Sequence, residues 1–239
     1  LLFGVDQAYD SFKCNSVHRA VYDIVNNLSS VYKDVTKDRL YSEAPDSPRR
    51  RGVQTVLFNI LEVLVRVLSP FLSFTADDVW ECYPEAMRNR EGRVCNVQLA
   101  GWPHRSDFVP ALPGKAAEDK VLAAFGGALE VRDVVTKALE DARGAKVINK
   151  SQEATVSVTA PQATLDALSA FDASVFEELF IVSGVTFAAG DELACEVKPA
   201  EGDKCPRCWN YRELGGNANH ADVCQRCGDA LDAIGFTEE

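Results

Sequence analysis

The sequence predicts a multi-domain chain of the α and α+β classes: an α-helical bundle, then a small α+β domain, then a four-cysteine zinc ribbon. Apolar stripes at helical spacing fill the first part, an apolar/polar alternation begins at Ala154, and two CxxC pairs lie near the C-terminus. We place the domains at 1–112, 113–198 and 199–239. With 239 residues and 46% hydrophobic content, the chain is long enough to bury these cores.

The helical domain is predicted from two apolar stripes. The first has steps of three and four residues and consists of Val17, Val21, Ile24, Leu28 and Val31. It predicts a helix from about Tyr9 to Tyr32 that buries one face. A second stripe runs from Val53 to Leu68, and Pro70 then stops the helix because proline lacks an N–H and clashes with the preceding turn. Thr75-Ala-Asp-Asp78 has the form of a capping box and predicts a short helix from there.

The α+β domain is predicted to follow a linker. Residues 103–114 contain three prolines, a glycine and no periodic pattern, which is typical of a linker. The apolar stripe beyond it predicts a helix that ends at Arg143-Gly144, where glycine can adopt the left-handed cap conformation. Alternation over 154–159 predicts a half-buried strand, and Pro161 can open a further helix. Two more strands are predicted, over 179–187 and 193–197.

Charge and hydropathy argue against two classes of protein. A net charge of -11 argues against indiscriminate nucleic-acid binding, so any RNA contact must use local cationic patches. The most hydrophobic stretch, 53–72, is interrupted by polar and charged residues, which argues against a membrane span. The chain opens Leu1-Leu2-Phe3 without an initiator methionine or a signal segment. We therefore expect a fragment of a cytoplasmic protein.

Two cysteine pairs carry the most specific chemistry. Fifteen residues separate Cys205-Pro-Arg-Cys208 from Cys224-Gln-Arg-Cys227, a spacing at which four thiolates enclose one tetrahedral zinc ion. Since protein ligands fill all four positions, the zinc is predicted to be structural; His220, four residues before Cys224, is not needed. Disulfides or buried free thiols are the alternatives. The remaining cysteines are Cys14, Cys82, Cys95 and Cys195. We expect them to be reduced, buried thiols.

Three stretches resemble one family in the same order. Lys204-Cys-Pro-Arg-Cys-Trp-Asn-Tyr211, with Cys224-Gln-Arg-Cys-Gly228, resembles the C-terminal zinc finger of bacterial-type isoleucyl-tRNA synthetases. The stretches 32–41 and 68–80 resemble the anticodon-binding helical bundle of these synthetases. The segment Lys146-Val-Ile-Asn-Lys-Ser-Gln-Glu-Ala154 resembles the one that leads into the strand of their small C-terminal domain. Together the matches span nearly the whole chain.

The resemblance implies a bundle of the anticodon-binding type and a chain that is the C-terminal, tRNA-reading part of a ligase. Nothing in it resembles the His-Ile-Gly-His or Lys-Met-Ser-Lys-Ser signatures with which this class binds ATP, and no editing domain is present. We therefore expect no catalytic residues here, and we expect ATP to bind only in the missing catalytic part of the parent chain. The expected partners are isoleucine tRNA and the catalytic and editing domains, with neither DNA nor a membrane.

Several side chains are candidate RNA contacts. Trp209 follows a metal ligand and offers a surface on which an unpaired base can stack; alternatively, Trp209 and Tyr211 only cover the apolar side of a small module. Arg207 and Arg226, inside the CxxC turns, can reach phosphates or can simply offset the charge of a four-thiolate zinc site. The other cationic candidates are Lys37, Arg39, Arg49, Arg50, Arg51, Lys146 and Lys150. For these the alternative is an ordinary solvated charge.

Three rival functions stay open at this point. A valine tRNA ligase has a similar helical bundle, but the terminal ribbon disfavours it. A DNA glycosylase with a related zinc finger would need an N-terminal proline followed by an acidic residue, which Leu1-Leu2 does not supply. A scaffold module with a structural zinc and no RNA role is favoured by the net acidity.

Overall fold

The computed structural model describes residues 2–88, 92, 94–104 and 115–237. The chain forms two compact units, the first made of Leu1–Lys33 and Arg51–Leu112 and the second of Asp34–Arg50 and Pro113–Glu239. The segment 34–50 therefore belongs to the second unit, although it lies within the predicted helical domain. Most of the predicted linker lies outside the described residues, and the three-domain division stays a prediction.

The N-terminal part of the chain is helical, as predicted. Its helices are α1 (Leu2–Asp10), α2 (Cys14–Asn27), α3 (Lys33–Ser42), α4 (Pro48–Leu68), α5 (Ser73–Glu81) and α6 (Glu85–Arg88). A π-helical turn, Leu28–Tyr32, joins α2 to α3, and a 3₁₀ turn spans Val97–Leu99. No helix within the described ranges combines the length and the apolar content that crossing a membrane requires.

The predicted ends of the first long helix are wrong. Phe12 adopts a left-handed conformation with φ of 55°, which separates α1 from α2, so the helix begins at Cys14 and not at Tyr9. At the other end the helical backbone continues through the π turn as far as Ser42. The end of the next helix at Leu68 is confirmed.

The predicted capping box is also wrong. Helix α5 begins at Ser73, two residues before Thr75, and its N-cap residue Leu72 makes no side-chain capping bond. The turn before α5 is closed instead by the Ser73 hydroxyl, which donates to the Ser69 carbonyl at 2.9 Å. The Asp77 carboxylate, which lies within the predicted box, accepts from a backbone N–H outside the helix.

The core of the first unit forms where the predicted stripes meet. One cluster joins Val17 and Val21 of α2 to Val67 of α4 and Val5 of α1. The Tyr9 hydroxyl donates to the Val67 carbonyl at 2.7 Å, and burial, followed by the nearby Cys14 thiol, raises the pKa of Tyr9 to about 12.

The second unit combines a small sheet, helices and the cysteine-rich segment. Its elements after α3 are α7 (Lys115–Gly144), β1 (Ala154–Ala160), α8 (Gln162–Leu168), α9 (Ala173–Phe180), β2 (Gly184–Ala189), β3 (Ala194–Pro199), β4 (Asp203–Lys204), β5 (Tyr211–Arg212) and α10 (Gln225–Ala233). The main sheet has the order β2-β1-β3, with β1 parallel to β2 and antiparallel to β3. Strands β4 and β5 form a separate antiparallel pair.

The central strand confirms the predicted alternation. Val156 and Val158 of β1 are fully buried, whereas Ser157 between them is only partly buried. They pack in one core cluster with the apolar stripe of α7, which includes Val131 and Val135. Helix α7 ends at Gly144, as predicted. The α+β character of this region is therefore confirmed.

The predicted strand over 179–187 is wrong in its first part. Leu179 and Phe180 are the end of α9, where they and Phe176 bury their side chains in the same core. Ile181 then adopts a left-handed conformation with φ of 60°, and β2 starts only at Gly184. A short apolar run fits a buried helix and a buried strand equally well, which explains the error.

Candidate metal centre and nucleic-acid interface

The first cysteine pair lies in the turn between β4 and β5. The Cys205 N–H donates to the Asn210 carbonyl at 2.9 Å, and the Trp209 N–H donates to the Cys205 carbonyl at 2.9 Å. These two bonds close a tight turn that presents the sulfurs of Cys205 and Cys208 on its inner side, where both residues are buried. The turn follows from the short pairing of Lys204 with the residue opposite on β5.

The second cysteine pair lies at the start of α10. Cys224 is the N-cap residue of this helix, and the Gly228 N–H donates to its carbonyl at 3.0 Å. A side chain at position 228 would not fit, because its Cβ would lie 2.4 Å from the Cβ of Asn217. The Cys224 N–H also donates to the Cys205 sulfur at 3.5 Å, which joins the two pairs.

The four sulfurs form one buried group. All lie within 4.8 Å of one another, and the Cys208 and Cys224 sulfurs are 3.8 Å apart. A tetrahedral zinc ion with Zn–S bonds of about 2.3 Å places its sulfurs about 3.8 Å apart, whereas a disulfide requires about 2.05 Å. The cysteines are free thiols, so the geometry fits a metal site and not the disulfide alternative.

The close approach of the sulfurs separates their pKa values. Hydrogen bonds with Cys208 and Cys227 lower the pKa of the Cys224 thiol to about 3, while hydrogen bonds with Cys208 and Cys224 raise the pKa of Cys227. His220 lies outside this sulfur group, with its Nε2 3.5 Å from a carboxylate oxygen of Asp232.

The other cysteines correct one expectation. Cys14, Cys82 and Cys95 are exposed, so the prediction that they are buried is wrong. Only Cys195 is partly buried, and desolvation raises its pKa to about 11. The exposed thiols occupy helix ends and loops, where an apolar neighbourhood in sequence does not provide cover.

We expect alkylation to distinguish these thiols. At pH 8 iodoacetamide should modify Cys14, Cys82 and Cys95 well before Cys195, because the raised pKa of Cys195 leaves almost no thiolate at that pH. Peptide mass spectrometry over a time course measures each rate, and the denatured chain is the control in which all rates converge. Equal rates for Cys195 and Cys14 in the folded chain would contradict the expectation.

Trp209 is exposed directly beside the cysteine group. Its side chain is 54% exposed, and its backbone is left-handed with φ of 67°, which is strained for a bulky residue. The ammonium groups of Lys150 and Lys204 lie 5.7 Å and 5.6 Å from the centroid of the indole ring. The structure thus brings together predicted Trp209 and Lys150, and it adds Lys204. The signal for Lys204 was its place directly before Cys205.

The arginines of the CxxC turns contact helix α3. Arg226 forms an ion pair with Asp38, in which one Nη lies 2.8 Å from a carboxylate oxygen, and Arg207 donates to the Ser42 carbonyl. Burial lowers the pKa of Arg226, but the hydrogen bond and charge of Asp38 outweigh burial and raise it. Each arginine directly precedes a cysteine of the group, Arg207 before Cys208 and Arg226 before Cys227.

Three cationic candidates of the 34–50 segment have acidic or carbonyl partners inside the protein. Arg39 donates to Glu178 at 2.6 Å, and Arg49 pairs with both Glu178 and Glu43. Arg50 donates to the Glu43 carbonyl at 3.0 Å. The Glu178 side chain is only 7% exposed, so this carboxylate is a buried anchor that the sequence did not reveal.

The other candidates are more peripheral. Lys37 pairs with Asp34 on the exposed face of α3, and Arg51 donates to Gln54 within the first unit. Tyr211 is half-buried, and its N–H donates to the Ser183 hydroxyl at 2.7 Å. Lys146 is exposed just after α7 in a left-handed conformation. Contacts between these residues and RNA stay predictions.

Comparison with known proteins matches two parts of the chain. Residues 1–158 match the family described as the anticodon-binding domain of tRNA ligase, and residues 202–229 match the zinc finger found in FPG and IleRS. The second match encloses all four clustered cysteines.

Three similar proteins share the name isoleucine–tRNA ligase. The isoleucine–tRNA ligase of Fervidobacterium nodosum is 37% identical over 237 residues, which are 95% of this chain and 24% of that protein. The isoleucine–tRNA ligase of Geobacillus kaustophilus is 38% identical over 241 residues, with 95% and 25% covered. That of Kosmotoga olearia is 34% identical over 249 residues, with 100% and 26% covered.

The chain thus spans about a quarter of the length of these relatives. Its helical part, its small sheet and its cysteine group lie in the order that the resemblance predicted. Because the family match covers well over half of the sequence, this chain belongs to the family of anticodon-binding domains of tRNA ligases, and it also matches the zinc finger found in FPG and IleRS.

Proposed function

We propose that this chain is the C-terminal part of an isoleucine tRNA ligase, which binds the anticodon arm of isoleucine tRNA in the cytoplasm. ATP-dependent aminoacylation would take place in a catalytic core outside this chain, so that the chain alone is inactive. The proposal is supported by the anticodon-binding family match and by relatives named isoleucine–tRNA ligase. Its role is recognition, since gripping the anticodon arm presents the acceptor end to the remote core.

The observation that carries the proposal is the exposed position of the Trp209 side chain. The indole is 54% exposed on a strained left-handed backbone, directly after one of the clustered cysteines, and such strain occurs preferentially at sites that contact ligands. An unpaired base can stack on such a ring. Lys150 and Lys204 beside the ring supply positive charge where a sugar-phosphate backbone would pass. This local patch is consistent with RNA binding by a chain whose net charge is -11.

A structural zinc ion is part of the proposal. Cys205, Cys208, Cys224 and Cys227 would hold it, because their sulfurs have tetrahedral spacing and are buried. The ion would supply cross-linking of the two CxxC turns and no reaction chemistry, since four protein ligands close the site. The turn that ends at Trp209 is then fixed at both ends.

The proposal is tested by binding of the zinc-loaded chain to a panel of tRNAs at moderate salt. We expect tighter binding to isoleucine tRNA than to valine, methionine and alanine tRNAs, because base contacts in the anticodon loop distinguish them. Preference for valine tRNA would favour the valine ligase instead. Absence of RNA binding would favour a scaffold, and preference for damaged duplex DNA would favour a glycosylase-like module.

A second measurement addresses the lysines beside Trp209. In the Lys150→Gln/Lys204→Gln variant we expect weaker tRNA binding and a shallower dependence of log affinity on log salt, by about 0.7 for each phosphate that is no longer neutralised. Lys198→Gln is the matched control, because Lys198 is an exposed lysine on β3 that pairs with Glu196. Equal salt slopes for all three proteins would mean that neither lysine contacts phosphate.

A further inference from the structure

The contacts of Arg207 and Arg226 connect the cysteine group to one helix. Both arginines occupy the same place in their turns, directly before the second cysteine of each CxxC pair. Their partners, Ser42 and Asp38, lie four residues apart on α3 and therefore on the same face of that helix. Two equivalent side chains from the two halves of the metal centre thus hold consecutive turns of one helix.

Each arginine is the chain neighbour of a candidate ligand. Arg207 directly precedes Cys208, and Arg226 directly precedes Cys227. A metal held by the four buried sulfurs would fix the two CxxC turns, and with them the backbone from which both guanidinium groups reach α3. The position of α3 and the geometry of the four sulfurs are therefore linked through the two turns.

A second set of contacts, which does not involve the cysteines, holds the segment 34–50. Arg39 and Arg49 pair with Glu178, and Val35 packs against the core of the small domain. The pairs with Glu178 involve no residue of the ribbon. Removal of the metal would consequently release Asp38 and Ser42 while the pairs with Glu178 remain.

We infer that zinc binding and the ordering of helix α3 are coupled: the ion holds Arg207 and Arg226 where they fix Asp38 and Ser42, and these contacts in turn strengthen zinc binding. Such coupling is reciprocal by thermodynamic necessity. It gives the zinc a role beyond the ribbon, because α3 and the first turn of α4 carry the cationic candidates Lys37, Arg39, Arg49 and Arg50. The inference rests on the proposed zinc site but not on RNA binding.

The first test is hydrogen exchange on the unmodified 239-residue chain, with zinc and after removal of zinc by a chelator, both without RNA. We expect faster exchange in 203–233, where the ribbon opens, and also in 36–44. Peptides from 53–68 of helix α4 should be unchanged and act as the control. If zinc is bound and its removal opens 203–233 but leaves 36–44 unchanged, the inference is overturned. A chain that binds no zinc would overturn both the inference and the proposed metal site.

The effect of helix α3 on zinc binding is tested with a pair of matched variants. Asp38→Asn removes the charge that pairs with Arg226. We expect zinc affinity to fall about tenfold, which is typical when a residue that supports a metal site from outside its ligands is lost. Asp34→Asn is the control: it makes the same change one turn earlier, at an exposed carboxylate that pairs with Lys37. Competition with a chromogenic chelator measures both. Equal affinities in Asp38→Asn, Asp34→Asn and the parent would overturn the coupling.

Discussion

Replacing Cys227 with alanine is expected to abolish zinc binding and to unfold the ribbon from Asp203 to Ala233. Three remaining sulfurs leave a tetrahedral site open to water, and structural zinc sites supply about 10–16 kcal/mol of apparent binding energy that is also folding energy. The apolar core of the ribbon is small, since the apolar residues packed with its cysteines are Val223, Leu214 and Leu231. Native mass spectrometry measures the zinc content, and hydrogen exchange measures the ribbon.

The control for this variant is Cys95→Ala, which removes an exposed thiol from the first unit and should keep one zinc ion. The small α+β domain should remain folded in Cys227→Ala, because its core around Val156 and Phe176 contains none of the four cysteines. Retention of one tightly bound zinc and of slow exchange in the ribbon by Cys227→Ala would contradict the prediction.

Trp209→Ala should weaken binding of isoleucine tRNA by about five- to 150-fold, because stacking of one base on an aromatic side chain contributes about 1–3 kcal/mol. The folded state should change little, since the indole is largely exposed and its backbone bonds do not involve the side chain. Filter binding or fluorescence anisotropy with labelled tRNA measures the affinity. The zinc content and the thermal midpoint of each variant show whether the ribbon is intact.

Two further substitutions separate stacking from backbone effects. Trp209→Phe keeps an aromatic face and should recover much of the affinity. Trp209→Gly relieves the strain of a φ of 67° and should be at least as stable as Trp209→Ala, yet it should bind tRNA as weakly. A Trp209→Ala chain that keeps its zinc and binds tRNA like the parent would show that the indole makes no contact with RNA.

The sequence alone predicts those features that depend on residues close together along the chain. The metal centre is fixed by two turns of four residues each, so the spacing of Cys205, Cys208, Cys224 and Cys227 predicts the sulfur group. The alternation in β1 and the stripe in α7 likewise predict both the elements and their buried faces. In each case one periodic pattern determines one face.

The features that the sequence does not predict depend on contacts between residues that are remote in sequence. Arg39 and Arg49 meet Glu178 at separations of 139 and 129 residues, and Arg226 meets Asp38 across 188. No local pattern distinguishes a charge that pairs with such a partner from one that faces solvent. The same limit affects α9, whose apolar run fits a strand equally well until the core around it is known.

The π-helical turn at Leu28–Tyr32 affects how the sequence of this chain is aligned with those of its relatives. A π turn contains one residue more than an α turn, so the phase of the helical wheel shifts between Val21 and Asp38. A relative in which this helix is uninterrupted would need a one-residue gap at 28–32 to bring the counterparts of Asp38 and Ser42 into register. An ungapped alignment would instead assign the contacts of Arg226 and Arg207 to neighbouring positions that lie about 100° away around the helix axis.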